Sequence, residues 1–391
     1  MKFKEYLMED ALEAIIDYRG KTPHKSDKGI PTLSAKSVKN NHINYAECYY
    51  ISETEYMRFM VRGFPKKGDI LLTTEAPMGM VAKLDRADVA IAQRLLTLRG
   101  KEGVLDNDYL LYLLQSPYGQ GLLKARETGT TVTGIKQAEF RKIVVKLPDI
   151  AVQRKIGNIL SAIDQKIECN SKINDNLQRQ LLALYSELLV AHDIQQTVDL
   201  KTLCAFQEGY VNPSQTHPEY FDGNVKWLRA VDINESFIIE TSRTLTTAGF
   251  ESAKKSALLF HPNTIAISKS GTIGRLGIIA DYMCGNRAVI NIRPHNPSHL
   301  PLIYAFLKSR QKEFPDLAVG SVQKNLYVSI LESLQLVLPE TTAVDAFCNT
   351  GCAILELIRN NCQENVSLTN LRDSLLPKLM TGKIDVSSID T

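Results

Sequence analysis

The residues best suited to chemistry in this 391-residue chain are polar and cationic side chains beside glycines. GSVQKN offers Ser321, Gln323, Lys324 and Asn325, and GTTVTGIK offers Thr130, Thr131, Thr133 and Lys136. SKSGTIGR adds Ser268, Lys269, Ser270, Thr272 and Arg275. Gln93–Arg94 and Asn286–Arg287 are two matching amide–guanidinium pairs, and Ser34, Lys36, Thr73, Thr74 and Arg229 complete the set. Gln and Asn bond adenine edges bidentately, Lys and Arg reach guanine or phosphate, and hydroxyls suit phosphate oxygens. Taken singly, each residue is a turn former or a solvated charge. Taken as a group that occurs twice along the chain, they point to recognition of duplex DNA.

Patterns for bond-making chemistry are absent. There is no GxxxxGK[ST]; the nearest segment, GTIGRLG at Gly271–Gly277, lacks the Lys and the hydroxyl. GxGxxG after a strand, HExxH and GxSxG are missing as well. No FxGxG and NPPF-type pair offers a cofactor and flipped-base site. The seven histidines are scattered, and His295 and His299 flank the helix-breaking Pro297. Asp69 and Glu75 bracket an apolar run, but Glu75 has no basic partner at a suitable spacing, so a solvated turn is expected there. The seven cysteines (48, 169, 204, 284, 348, 352 and 362) form no CxxC, which argues against a zinc ribbon and a disulfide scaffold. They are expected to be buried thiols, because cysteine packs as a small hydrophobe.

The elements that must position the polar groups come in two copies. GTTVTGIKQAEFRKIVVKLP, from Gly129 to Pro148, faces GSVQKNLYVSILESLQLVLP, from Gly320 to Pro339. IPTLSAKSV faces VKWLRAVDI, GDILLTTEAPMGMV faces PNTIAISKSGTIGRL, and AQRLLTLRG faces GNRAVINIRP. All four pairs have nearly the same offset, so the chain is two copies of one unit of about 190 residues. Asp69–Thr74 and Thr264–Ser268 are apolar and bounded by turn formers, as buried strands are. Tyr109–Gln115 and Leu302–Leu307 are expected to be short helices. The mixture predicts an α/β (mixed α+β) globule in each copy.

Each copy ends in a long helix. Alternating steps of 4 and 3 from Ile156 give Leu160, Ile163, Ile167, Asn170, Asn174, Leu177, Leu181, Leu184 and Leu188. That is a narrow seam of period 3.5, the mark of a coiled coil. The second copy gives Phe347, Gly351, Ile354, Ile358, Asn361, Asn365, Leu368, Arg372, Leu375 and Leu379. Seam asparagines lower stability but fix register and partner, so their recurrence predicts that the two helices pair. Gly351 and Arg372 break the pattern and predict a frayed or bent start to the second helix. Packed antiparallel, the helices would make a dumb-bell with a pseudo-two-fold axis. Its two similar faces would suit DNA, whose faces repeat every ~34 Å.

Composition agrees with a soluble globular protein: 44% hydrophobic and 23% charged. No window approaches the ~18 apolar residues of a membrane span, and MKFKEYLMED lacks an apolar signal core, so a cytoplasmic protein is expected. Net charge is +3. By segment it is +4 over 1–150, 0 over 151–195, +2 over 196–339 and −3 over 340–391. Mild basicity permits a polyanionic partner without requiring one.

Taken together, these motifs resemble the specificity subunits of type I restriction-modification systems. The landmarks are GDILLTT…GMV, NTIAISKSGTIGRLGII, the TGTTVTGIKQ and SVQKNL turns, AVQRKIGNILSAIDQKI and LRDSLLPKLMTGKI. The resemblance spans nearly the full length. It implies target recognition domains at 1–150 and 196–339, with a spacer helix at 151–195 and another, with a tail, at 340–391. Each domain would read one half of a bipartite DNA target, and the helix pair would set the gap. The pair would also dock two modification subunits, and two restriction subunits could join. The chain would be non-catalytic, with S-adenosylmethionine, ATP and Mg carried by those partners. A coiled-coil scaffold that does not read DNA, and an enzyme with an unfamiliar site, are the competing classes.

Overall fold

The computed structural model describes residues 1–18, 20–129, 133–321 and 323–388. They form two compact units: Met1–Gln165 with Leu368–Thr391, and Lys166–Ser367. In the first unit, β1 (Leu12–Asp17), β2 (Ile70–Thr73), β3 (Val81–Lys83) and β4 (Leu95–Gly100) form an antiparallel sheet in the order β1-β4-β2-β3. Every residue of β2 is buried, which is why its sequence, ILLT, shows no polar alternation. A second sheet places Ile30–Leu33 between Tyr49–Ile51 and the parallel Ala90–Ile91. Helix Asn107–Gln115 buries Tyr109, Leu110 and Leu113 in a core with Ile70, Leu72, Leu96 and Leu98.

The second unit repeats this topology. Strands β5 (Cys204–Glu208), β6 (Thr264–Ser268), β7 (Leu276–Ile279) and β8 (Val289–Pro294) run in the order β5-β8-β6-β7. Phe237–Ile238 adds a parallel edge beside β7. Phe221–Leu228 again lies between an antiparallel partner, Thr244–Leu245, and a parallel one, Met283–Gly285. Helix Leu300–Ser309 takes the place of Asn107–Gln115. The repeat seen in the sequence is therefore a repeat of strand order as well.

In each unit a two-stranded ladder leads into a long helix. Phe3–Leu7 pairs with Val144–Pro148, just before α1 (Ile150–Ala191). Gln196–Asp199 pairs with Gln335–Leu338, just before α2 (Thr341–Met380). At the start of α1 the amide of Gln153 is fully satisfied. It donates to Val104 O at 2.8 Å and Pro148 O at 2.9 Å, and accepts from Asp106 N at 3.0 Å. Asp106 in turn caps helix Asn107–Gln115.

The expected fraying of α2 does not occur: the helix is continuous from Thr341 to Met380. Gly351 lacks a side chain because α2 approaches helix Leu300–Ser309 closely; a Cβ there would lie 2.5 Å from Pro301 Cβ. Arg372 leaves the apolar pattern because its guanidinium bonds Asp164 Oδ1 of α1 at 2.8 Å. Among the described residues no helix is long and apolar enough to cross a membrane. The expectation of buried thiols fits Cys204, Cys284 and Cys348, whereas Cys169 and Cys352 are exposed. Burial pushes those three thiols up to about 12.

Candidate nucleic-acid interface

The polar segments meet where the central strand of each sheet ends. In the second unit Lys269 follows β6. Its N–H donates to Ala288 O at 2.7 Å, and its carbonyl accepts from Leu326 N at 2.9 Å. One residue therefore joins the Asn286–Arg287 turn to the loop that begins at Gly320. In the first unit Thr74 follows β2 and does the same. Thr74 N donates to Arg94 O at 3.0 Å, and Ile135 N donates to Thr74 O at 3.0 Å. The glycine-led loops close alike, with reciprocal bonds between Thr128 and Gly134 and between Val319 and Asn325. Gly320 has φ +144° and a Cβ there would lie 2.2 Å from Gln323 O, so only glycine opens this loop.

In the second unit this junction forms a cleft of about 380 Å³, lined by Lys269, Ser270, Asn286, Arg287, Ala288, Gln323, Asn325 and Tyr327. Six of these are among the residues singled out from the sequence. Asn286 Oδ1 accepts from Ala288 N at 3.0 Å, which shapes the turn. Arg287 is exposed and has no hydrogen-bond or ion-pair partner among the described residues, though its charge acts on the Tyr210 hydroxyl. Lys269 is not free: its ammonium bonds Glu208 Oε1 at 2.7 Å and lies 5.5 Å from the Tyr327 ring centre. Tyr210 also donates to Glu208, at 2.7 Å. Burial raises the Glu208 carboxyl, but the bonds from Lys269 and Tyr210 outweigh it and hold the group below its ordinary range. Ser321 and Lys324 are exposed on the loop outside the cleft.

The first unit differs in chemistry. Arg94, at φ +68°, pairs with Glu75 Oε1 at 2.7 Å. Gln93 bonds Thr22 Oγ1. The expectation that Glu75 lacks a basic partner is thus corrected: Arg94 is distant in sequence but reaches it across the β2 and β4 ends. Asp69 is no solvated turn residue either; it is buried and held by two 2.8 Å bonds from Arg99. Thr133 and Lys136 are exposed, while Thr130 and Thr131 lie outside the described residues. Ser34 is half-buried and Lys36 exposed.

Three proposed contacts are corrected by burial. Thr73, Thr74 and Ser268 have 0%, 2% and 0% exposure and offer a duplex nothing. Thr73 Oγ1 donates to Pro77 O at 2.6 Å and accepts from Met80 N at 2.9 Å. Ser268 Oγ donates to Thr272 O at 2.5 Å and accepts from Arg275 N at 2.8 Å. These two hydroxyls close the same turn in the two units. Thr272 is exposed and Arg275 half-buried beyond it. Arg229 is taken up by Ser242 at 2.5 Å and by Asp232 at 3.5 Å.

A family model for the type I restriction modification DNA specificity domain matches residues 15–179 and again 194–367. The chain belongs to this family. The MjaIX specificity subunit of a type I restriction enzyme of Methanocaldococcus jannaschii is 26% identical over 385 residues, covering 92% of this chain and 88% of that one. The HindI specificity subunit of Haemophilus influenzae is 22% identical over 434 residues, covering 90% and 94%. The crystal structure of the S subunit of a type I restriction-modification system from M. genitalium shares the fold. Its TM-score is 0.59 at 17% identity, over 97% of this chain and 96% of that one.

The helices of this specificity chain pair within each unit. In the first, Ile156, Leu160 and Leu379 are buried in the globular core, with Leu375 against it. Ile163 and Leu368 of that unit are half-buried, as is Ile167 at the start of the second unit. In the second, Asn170 Nδ2 donates to Asn365 Oδ1 at 2.9 Å and Asn361 Nδ2 donates to Asn174 Oδ1 at 2.8 Å. Pairing falls along one helix as it rises along the other, so the two run antiparallel. Leu181, Leu188, Ile354 and Ile358 then enter the second core, with Leu177 and Leu184 against it.

Sequence reasoning missed Glu208, Tyr210 and Tyr327. Tyr327 had a signal, an aromatic two residues beyond Asn325 in a polar loop. Glu208 had none, because β5 is brought beside β6 and β8 only by the sheet.

Proposed function

We propose that this specificity chain reads a bipartite DNA sequence, one half per globular domain, and carries out no reaction itself. The loop junctions supply base-edge and phosphate contacts, and each good bidentate base contact discriminates by ~1–3 kcal/mol. The helix pair sets the gap between half-sites and docks two modification subunits, which bind S-adenosylmethionine and methylate adenine. Two restriction subunits complete the complex with ATP and Mg, and the assembly works in the cytoplasm. One observation carries the reading: the same strand-end junction is built twice, with different polar side chains in each copy. Two scaffolds alike in backbone and unlike in side chains suit two half-sites of different sequence.

The test maps methylated adenines in cells with the chain and its partners, and again after residues 1–150 are replaced by those of a relative. One half of the methylated sequence is expected to change and the other to persist. A change in both halves would refute modular reading.

A further inference from the structure

A helix pair can act as a ruler only if each reading domain is fixed rigidly to it. Among the described residues, each unit has a left-handed turn that is bonded to α1. In the first, the turn is Asn41, at φ +68°, beside β3. In the second it is Glu235, at φ +67°, beside the Phe237–Ile238 edge strand. Neither is glycine, and a left-handed conformation costs a residue with a Cβ about 1 kcal/mol or more. The two lie at equivalent places in the repeat.

Both turns are held from the same two sides. Asn41 Nδ2 bonds Asp164 of α1, and Gln115 Nε2, at the end of helix Asn107–Gln115, donates to Asn41 Oδ1 at 3.0 Å. Asp164 also accepts from Tyr112 OH at 2.6 Å and from Arg372 of α2 at 2.8 Å. One carboxylate thus joins both long helices to the reading domain. It is only 18% exposed, so these bonds face little competition from water. In the second unit Gln178 of α1 donates to Glu235 O at 2.8 Å, and Tyr304 OH donates to it at 3.2 Å. Lys308, at the end of helix Leu300–Ser309, bonds the Glu235 carboxylate, and Gln311 donates to the same group at 2.9 and 2.8 Å.

We propose that Asn41 with Asp164, and Glu235 with Gln178, are positioning residues: paired latches that fix each reading domain on α1 and so define the gap the chain accepts. The latches rest on the ruler reading given above. Their chemistry differs, a carboxylate bridge in one unit and an amide-to-backbone bond in the other, so each can be released alone.

The test uses the full chain assembled with its modification subunits. Probes are duplexes carrying the mapped methylation sequence with its native gap, and the same half-sites one base pair closer or further apart. Asn41→Gly keeps the left-handed turn and removes the amide; Gln178→Ala removes the second latch; Tyr112→Phe is a milder variant that keeps the ring. Gln178→Ala is expected to lower the ratio of methylation on native-gap over shifted-gap duplexes by about fivefold, the factor one neutral hydrogen bond carries, and Asn41→Gly and Tyr112→Phe, each of which removes a bond to the Asp164 carboxylate, by about tenfold or more. The identity of the half-sites should not change. An unchanged ratio overturns the latches, whether or not the melting temperature moves, and so does an equal loss on every duplex. If the unaltered complex itself ignores gap length, the ruler reading fails instead.

Discussion

Ser268 and Thr73 close the same turn in the two units, each hydroxyl holding one backbone donor and one backbone acceptor. Removing such a hydroxyl leaves buried groups unpaired, at about 1–3 kcal/mol. Ser268→Ala is therefore expected to lower the melting temperature, and a thermal scan checks it. Lys324→Ala is expected to do the opposite: weaker DNA binding by the assembled complex with an unchanged scan. Lys324 is exposed and has no partner among the described residues, so its loss costs the fold nothing. If Lys324→Ala melted early and bound normally, the loop would be structural. From the sequence the two residues looked alike, both polar and both near a glycine. Exposure separates them, and it depends on sheet neighbours far along the chain.

The element most clearly marked in the sequence was the long helix. Its period needs only local spacing, and the asparagines announced a partner because no single helix benefits from burying them. Asn170 and Asn174 are 0% and 6% exposed. Asn361→Leu alone would leave the Asn174 carbonyl without its donor, a loss of about 1–3 kcal/mol. Asn174→Leu with Asn361→Leu is expected to regain that stability or exceed it, because a matched apolar pair replaces a buried polar one. Chemical denaturation of the three proteins decides this; a double variant weaker than the single would mean the pair holds more than itself. Gly351 and Arg372 were misread for one reason. Each answers a neighbour, Pro301 or Asp164, that heptad counting along one helix cannot see.

For the whole molecule, the ruler makes a geometric demand. Seven residues inserted in α1 after Ile167, without a matching insertion in α2, keep the heptad phase but move the domains. Methylation at the native gap is expected to be lost or shifted to another gap. Lys172→Ala should leave it unchanged, since Lys172 is exposed and its ion pair among the described residues is with Glu168 one turn away, at 2.6 Å. Methylation mapping reads both; native methylation after the insertion would refute the ruler. Binding is also expected to weaken steeply with salt, because phosphate contacts release counterions.

The sequence by itself determined the duplication, the buried central strands, the paired helices with their asparagines, and the turns that carry polar groups. All of these are written in spacing and residue type over short stretches, where periodicity and glycine act locally. Only the tertiary structure decided which polar groups face outward, that Glu208 and Glu75 neutralise Lys269 and Arg94, and that Asn41 and Glu235 anchor the domains to α1. Those facts depend on which strands become neighbours, and burial and charge pairing are set by neighbours in space.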